Sequence, residues 1–104
     1  MDNVYIGTEL KYAIKIESPG FDMDSDDFEI RLQRGTNVQT LTKNDLIREV
    51  EEDDSVTWYM CFDSAFFGKG PITVVVTAHV PDTDFDDGFR TEVDKFEIVN
   101  VNKI

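Results

Sequence analysis

The chain has 104 residues and carries 22 acidic against 10 basic side chains, for a net charge of −12. That length suits one domain with a modest core, and a field of that sign repels nucleic-acid duplexes and anionic membranes, so neither is expected as a partner. Apolar residues at 40% and charged residues at 31% mark a folded chain, while a single cysteine and a single histidine leave no internal disulfide and no zinc cluster.

Met1 to Gly7 has neither the basic start nor the apolar run of a signal peptide, and no stretch is long enough to span a bilayer. The expected location is the cytosol, or an assembly formed there. From "ELKYAIKIE" onward the recurring period is two. Leu10, Tyr12, Ile14 and Ile16 share one face there, as do Phe28, Ile30 and Leu32 in "DFEIRLQRG". "NVQTLT" and "LIREV" are weaker strands of the same kind. Val56, Trp58, Met60 and Phe62 line one face of "SVTWYMCF". "DSAFFGKG" is the one expected helical turn, capped by Asp63 or Ser64 and ended by Gly68. "PITVVVTAHV" then places Ile72, Val74, Val76, Ala78 and Val80 opposite Thr73, Val75, Thr77 and His79, and "TEVDKFEIVNV" closes the series. Strict alternation rich in β-branched and aromatic residues predicts strands buried on one face. Turn clusters separate them: "SPGF", "RGTN", "EEDD", "GKGP" and "DDG". The fold class is therefore all-β: a single domain over residues 1–104, an antiparallel, immunoglobulin-like β-sandwich of about seven strands, with a small barrel as the alternative.

Two acidic stretches carry the strongest local signal. "GFDMDSDDFE" spaces Asp22, Asp24 and Asp26 two apart, and "PDTDFDDGFR" does the same with Asp82, Asp84 and Asp86. Calcium takes six to eight oxygens, and alternating carboxylates supply three. An EF-hand also needs glycine in sixth place and glutamate in twelfth, where these stretches have Asp27 and Asp87, then Gln33 and Val93. The preferred reading is two acidic corners in which Asp caps the turn, with Asp82, Asp84 and Asp86 kept as a weak metal candidate. Phe21 and Phe28, and likewise Phe85 and Phe89, are expected to tuck back as plugs at the sandwich end.

Elsewhere the chemistry is thin. His79 pairs in sequence with neither a nucleophile elbow nor oxyanion glycines, so a Ser-His-Asp site with Ser55 or Ser64 is set aside in favour of a half-exposed sheet position. Cys61, between Met60 and Phe62, reads as a small packing residue. Phe66 and Phe67 at a turn form a possible partner patch. With Trp58 and Tyr59 they are also the residues a sugar platform would use. No catalytic residue and no cofactor is expected.

Across most of its length the chain resembles small proteins encoded in prophages and mobile elements of gut anaerobes. The resemblance rests on "GTEL" with Gly7 and Leu10, on "DFEIRL" with Asp27 and Phe28, and on "FGKG" with Gly68 and Gly70. The acidic "PDTDFDDGFR" completes it with Pro81, Asp82, Asp84, Phe85, Asp87, Gly88 and Arg90. More distantly the pattern is similar to the N-terminal immunoglobulin-like domain of phage baseplate upper proteins. The resemblance implies a structural or assembly module of a phage tail, assembled into a virion, that associates with a protein partner or with itself. A surface module binding carbohydrate or protein is the alternative expectation.

Overall fold

In the computed structural model, which describes residues 1–104, the alternation of "PITVVVTAHV" becomes the central strand, β7 (Gly70–Pro81). Its residues Ile72, Val74, Val76, Ala78 and Val80 are all buried, while the intervening Thr73, Val75, Thr77 and His79 are half-exposed. At about 3.3 Å per residue its twelve residues run roughly 40 Å, most of the 50 Å long axis of the molecule.

Strands β1 (Asp2–Tyr5), β8 (Phe89–Asn102), β7, β3 (Phe28–Arg34) and β4 (Asn37–Thr42) form a five-stranded sheet in that order. Strands β2 (Glu9–Ile14), β6 (Val56–Asp63) and β5 (Ile47–Val50) form a three-stranded sheet packed against it. The fold is an all-β sandwich, as expected. Eight strands are present where about seven were expected; the added one is β1, whose "DNVY" carries too short an alternation to stand out. It also corrects the fully antiparallel expectation, because β1 pairs parallel to β8, with Asp2 beside Val99 and Tyr5 beside Asn102. No helix is long and apolar enough to cross a membrane.

Local chemistry sets the turns. The β3–β4 hairpin closes on Gly35–Thr36 with Gly35 at φ 58°, a positive value at the first loop position, as a type II′ turn needs. The expected helical turn is α1 (Ser64–Phe67); the Asp63 carboxylate accepts from the Ala65 N–H at 2.8 Å and Gly68 ends it. A 3-10 turn at Lys43–Asp45, closed by Asp45 on the Thr42 amide (2.8 Å), carries the chain between the sheets.

The core joins both sheets. Phe28 meets Trp58 edge-on at 6.3 Å, and Phe62 meets Phe67 edge-on at 5.8 Å. Trp58 is 7% exposed, with the Arg48 guanidinium 6.0 Å above its ring. Trp58→Ala is expected to cost roughly 3–5 kcal/mol, a large part of the stability of a domain this small. Urea unfolding checks it: a midpoint close to wild type would place the ring outside the core.

Candidate functional site

Each acidic stretch builds a corner out of its own carboxylates. In the first, Asp22 accepts from the Asp24 N–H (2.9 Å) and Asp26 accepts from the Asp22 N–H (2.8 Å). Asp24 takes Arg48 Nε and Nη2 at 2.7 and 3.1 Å, and Lys43 Nζ donates to the carbonyls of Asp24 and Asp26. In the second, Asp82 accepts from the Asp84 N–H (3.0 Å) and from Arg90 Nη1 (2.9 Å). The loop closes where the Asp82 N–H donates to the Gly88 carbonyl (2.9 Å), with Gly88 at φ 83°. Asp84 and Asp86 point to solvent, and no three His, Cys, Asp or Glu side chains are grouped to hold a metal ion. The Asp84 amide first, and the Arg90 guanidinium second, hold the Asp82 carboxyl below the usual carboxylate range. Arg48 does the same for Asp24.

Several residues picked from sequence are separated by the fold. Phe67 is fully buried, whereas Phe66 is 52% exposed and meets it edge-on at 5.0 Å. The expected partner patch is thus corrected to Phe66 alone, since adjacent residues of a single helical turn point in different directions. Trp58 and Phe67 lie inside, and Tyr59 lies outside under Lys11 Nζ (4.5 Å), so the four rings form no common platform. Phe28 is a core residue with Phe21 edge-on against it at 6.3 Å, as a plug would be. Phe85 and Phe89 are not plugs: Phe85 is half exposed, and Phe89 stacks on His79 outside the sheet at 4.5 Å. His79 takes Asp27 at 3.2 Å, while Ser64 is buried and accepts from the Gly7 N–H (3.0 Å). Cys61 is exposed, which corrects its packing role; alternation from Met60 and Phe62 turns it outward.

The feature that sequence reasoning missed lies at the edge of the larger sheet. Strand β1 covers β8 only from Val99 to Asn102, leaving Phe89 to Ile98 without a neighbour on that side. Here the sheets part around a cleft of about 570 Å³ between the end of β2 and β8. Its apolar wall includes Ile14, Ile16, Val76 and Phe96, and Glu92 and Asp94 face into it from β8. Register explains those carboxylates. Glu92, Asp94 and Phe96 stand opposite Ala78, Val76 and Val74, on the core-facing side of the sheet. Between Glu97 and Val99 the register slips by one residue at Ile98, a bulge that returns Val99 and Val101 to the core. The signal in the sequence was "TEVDKFEIV", where apolar positions change parity midway.

Comparison with family models, curated proteins and solved structures finds no match.

Because the carboxyls of Asp82 and Asp24 are lowered on folding, their contribution to stability is complete above a pH of about 4 and is lost as pH falls through the lowered values. The stability gap between wild type and Asp82→Asn is therefore expected at neutral pH and should close in acid; urea midpoints measured across that range decide it, and a gap persisting in acid would assign it to another cause. Calcium and magnesium at equal concentration are expected to raise the melting temperature equally. A calcium-selective rise that disappears in Asp82→Asn, Asp84→Asn would make the second corner a metal site.

Proposed function

We propose that this chain is a non-enzymatic interaction module that assembles with a partner protein by strand addition, with a phage tail or baseplate as its setting. The observation that carries the interaction reading is the unpaired edge of β8 beside a cleft with an apolar wall and an acidic rim. An exposed edge is a template for another strand, and proteins guard one by covering or shortening it, by a bulge or by inward-pointing charges. Strand β8 keeps its length and carries only the last two, the bulge at Ile98 and the inward Glu92 and Asp94, which restrict the strands it accepts. This edge is ten residues long, from Phe89 to Ile98.

The strand order supports the immunoglobulin-type part of the reading. The sheet β2-β6-β5 takes the places of strands B, E and D, and β8-β7-β3-β4 those of G, F, C and an added C′. The tail setting draws on the resemblance of the "DFEIRL", "FGKG" and "PDTDFDDGFR" segments to mobile-element proteins. The exposed Phe66 offers a second contact at the opposite side of the fold from the acidic corners.

Coexpression with the products of neighbouring genes tests this. One of them is expected to coelute with the chain in size exclusion and to slow hydrogen exchange at the amides of Thr91, Val93 and Lys95. A chain that elutes alone beside every neighbour, with those amides unchanged, would leave the assembly reading without support.

A further inference from the structure

Resting on the interaction reading above, we propose that the open edge of β8 takes an extended strand of a basic partner: a segment with two Lys or Arg two positions apart, flanked at the same spacing by an apolar residue. The backbone fixes where such a strand would bond. The His79 N–H donates to the Asp27 carbonyl at 2.9 Å, so His79 and its alternates on β7 bond toward β3, and the residues between them bond toward β8. Ala78, Val76 and Val74 therefore pair through their amides with Glu92, Asp94 and Phe96. That leaves Thr91, Val93 and Lys95 with N–H and C=O groups aimed at the open edge. The Lys95 N–H finds only the neighbouring Asp94 carboxylate, at 2.9 Å. Val93 is 65% exposed.

Charge decides what the edge accepts. The cleft is lined by Glu17, Glu92 and Asp94 against Lys15. Lys15 is taken by Glu17 at 2.7 Å, Arg90 divides itself between Asp82 and Glu92, and Asp94 has no cationic partner. A second copy of the chain is a poor occupant. Antiparallel pairing of two β8 edges about a twofold axis keeps each face of the sheet continuous. Centred on Asp94 or Lys95, it puts that residue opposite itself; centred on Val93, it puts Glu92 opposite Asp94; centred on Glu92, it puts two glutamates together. Centred on Thr91 or Phe96 it sets opposite charges together, Glu92 with Arg90 or Lys95 with Glu97, but overlaps only residues 89–93 or 94–98, half of the open edge. Like charges directly opposite are destabilising, and each copy carries −12 overall. The carboxylates that turn away a like strand select a strand with cations at the two positions facing Glu92 and Asp94. The position facing Phe96 sits over the apolar wall with Ile14 and Ile16 and takes an aliphatic side chain.

The peptide Val-Thr-Lys-Thr-Lys-Thr-Val presents this pattern in either chain direction. Titrated into the ¹⁵N-labelled protein, it is expected to shift the amides of Thr91, Val93 and Lys95 saturably, together with those of Ile14 to Glu17. Replacing both lysines with glutamate, or N-methylating alternate amides, is expected to weaken binding about tenfold or more. Raising the salt from about 0.05 to about 0.5 M should weaken it as well. In the variant Glu92→Lys, Asp94→Lys the preference should reverse toward the glutamate peptide. Equal binding by a peptide of the same composition with its lysines adjacent, or shifts mapping away from β8, would overturn the proposal. If no peptide binds while a neighbouring gene product still coelutes, the basic-strand assignment fails and the assembly reading stands; if that complex is also absent, both fail.

Discussion

The inward face of β7 is the constraint on which the rest depends. Five alternate residues from Ile72 to Val80 are buried, none more than 5% exposed, and such a face needs a second layer above it. The covering layer is narrow. At about 4.8 Å between strands, five strands span roughly 19 Å and three span roughly 10 Å, so the smaller sheet covers β7 and β3 and runs out before the edges. On one side Leu41 of β4 is still covered, with Leu46 from the crossover adding to the core. On the other side the first half of β8 is not. The cleft and its inward carboxylates follow from that difference in width, since a carboxylate facing inward is tolerable only where water still reaches it.

Polar contacts at the ends of the sandwich hold the two layers in register. The carbonyl of Phe67, at the end of α1, accepts from Arg34 Nε and from Asn37 Nδ2 (3.0 Å), both at the β3–β4 hairpin. That contact explains the glycines of "FGKG". Gly68 and Gly70 have φ of 79° and 124°, and a side chain at either would lie 3.2 Å from the Arg34 side chain. Ser64, the one buried polar residue, accepts from the Gly7 N–H, and its own N–H donates to the Thr8 carbonyl (3.0 Å). The β1–β2 connection is fastened there to the start of α1. Buried polar groups satisfied in this way specify one arrangement of the layers.

Much of this was legible in the order of residues wherever a strand carried its signal within itself. The alternations of β7, β3 and β6 named their inward residues, all buried but the half-buried Val56, and Gly68 marked the end of α1, whose cap was narrowed to Asp63 or Ser64. The aspartate corners were legible too, since an Asp that bonds the amide two residues on is a local device. What escaped reading depends on partners distant in sequence. β1 exists as a strand because residues 99–102 lie beside it, about a hundred positions away. The bulge at Ile98 changes the parity of β8, so a fixed period of two assigns its halves inconsistently. Phe66 and Phe67 differ in fate because one turn of helix stands between core and solvent, which a doublet of identical residues does not reveal. Cys61 was the avoidable error: with Met60 and Phe62 bracketing it, the period of two already pointed it outward.

The parallel pairing of β1 with β8 also governs how the domain would bear tension. Asp2 lies beside Val99 and Tyr5 beside Asn102, so a pull applied ahead of Asp2 and beyond Asn102 runs along both strands in opposite senses. The interstrand bonds, including the Ile6 N–H to the Asn102 carbonyl at 2.8 Å, then carry the load together in shear and cannot be opened one at a time. Asn3 adds to the same seam from outside, its side-chain oxygen accepting from Asn100 (3.1 Å) and Asn102 (3.4 Å). A hairpin pulled at its open end unzips bond by bond; this seam must yield all at once, which places the domain's greatest mechanical resistance where its first and last strands meet.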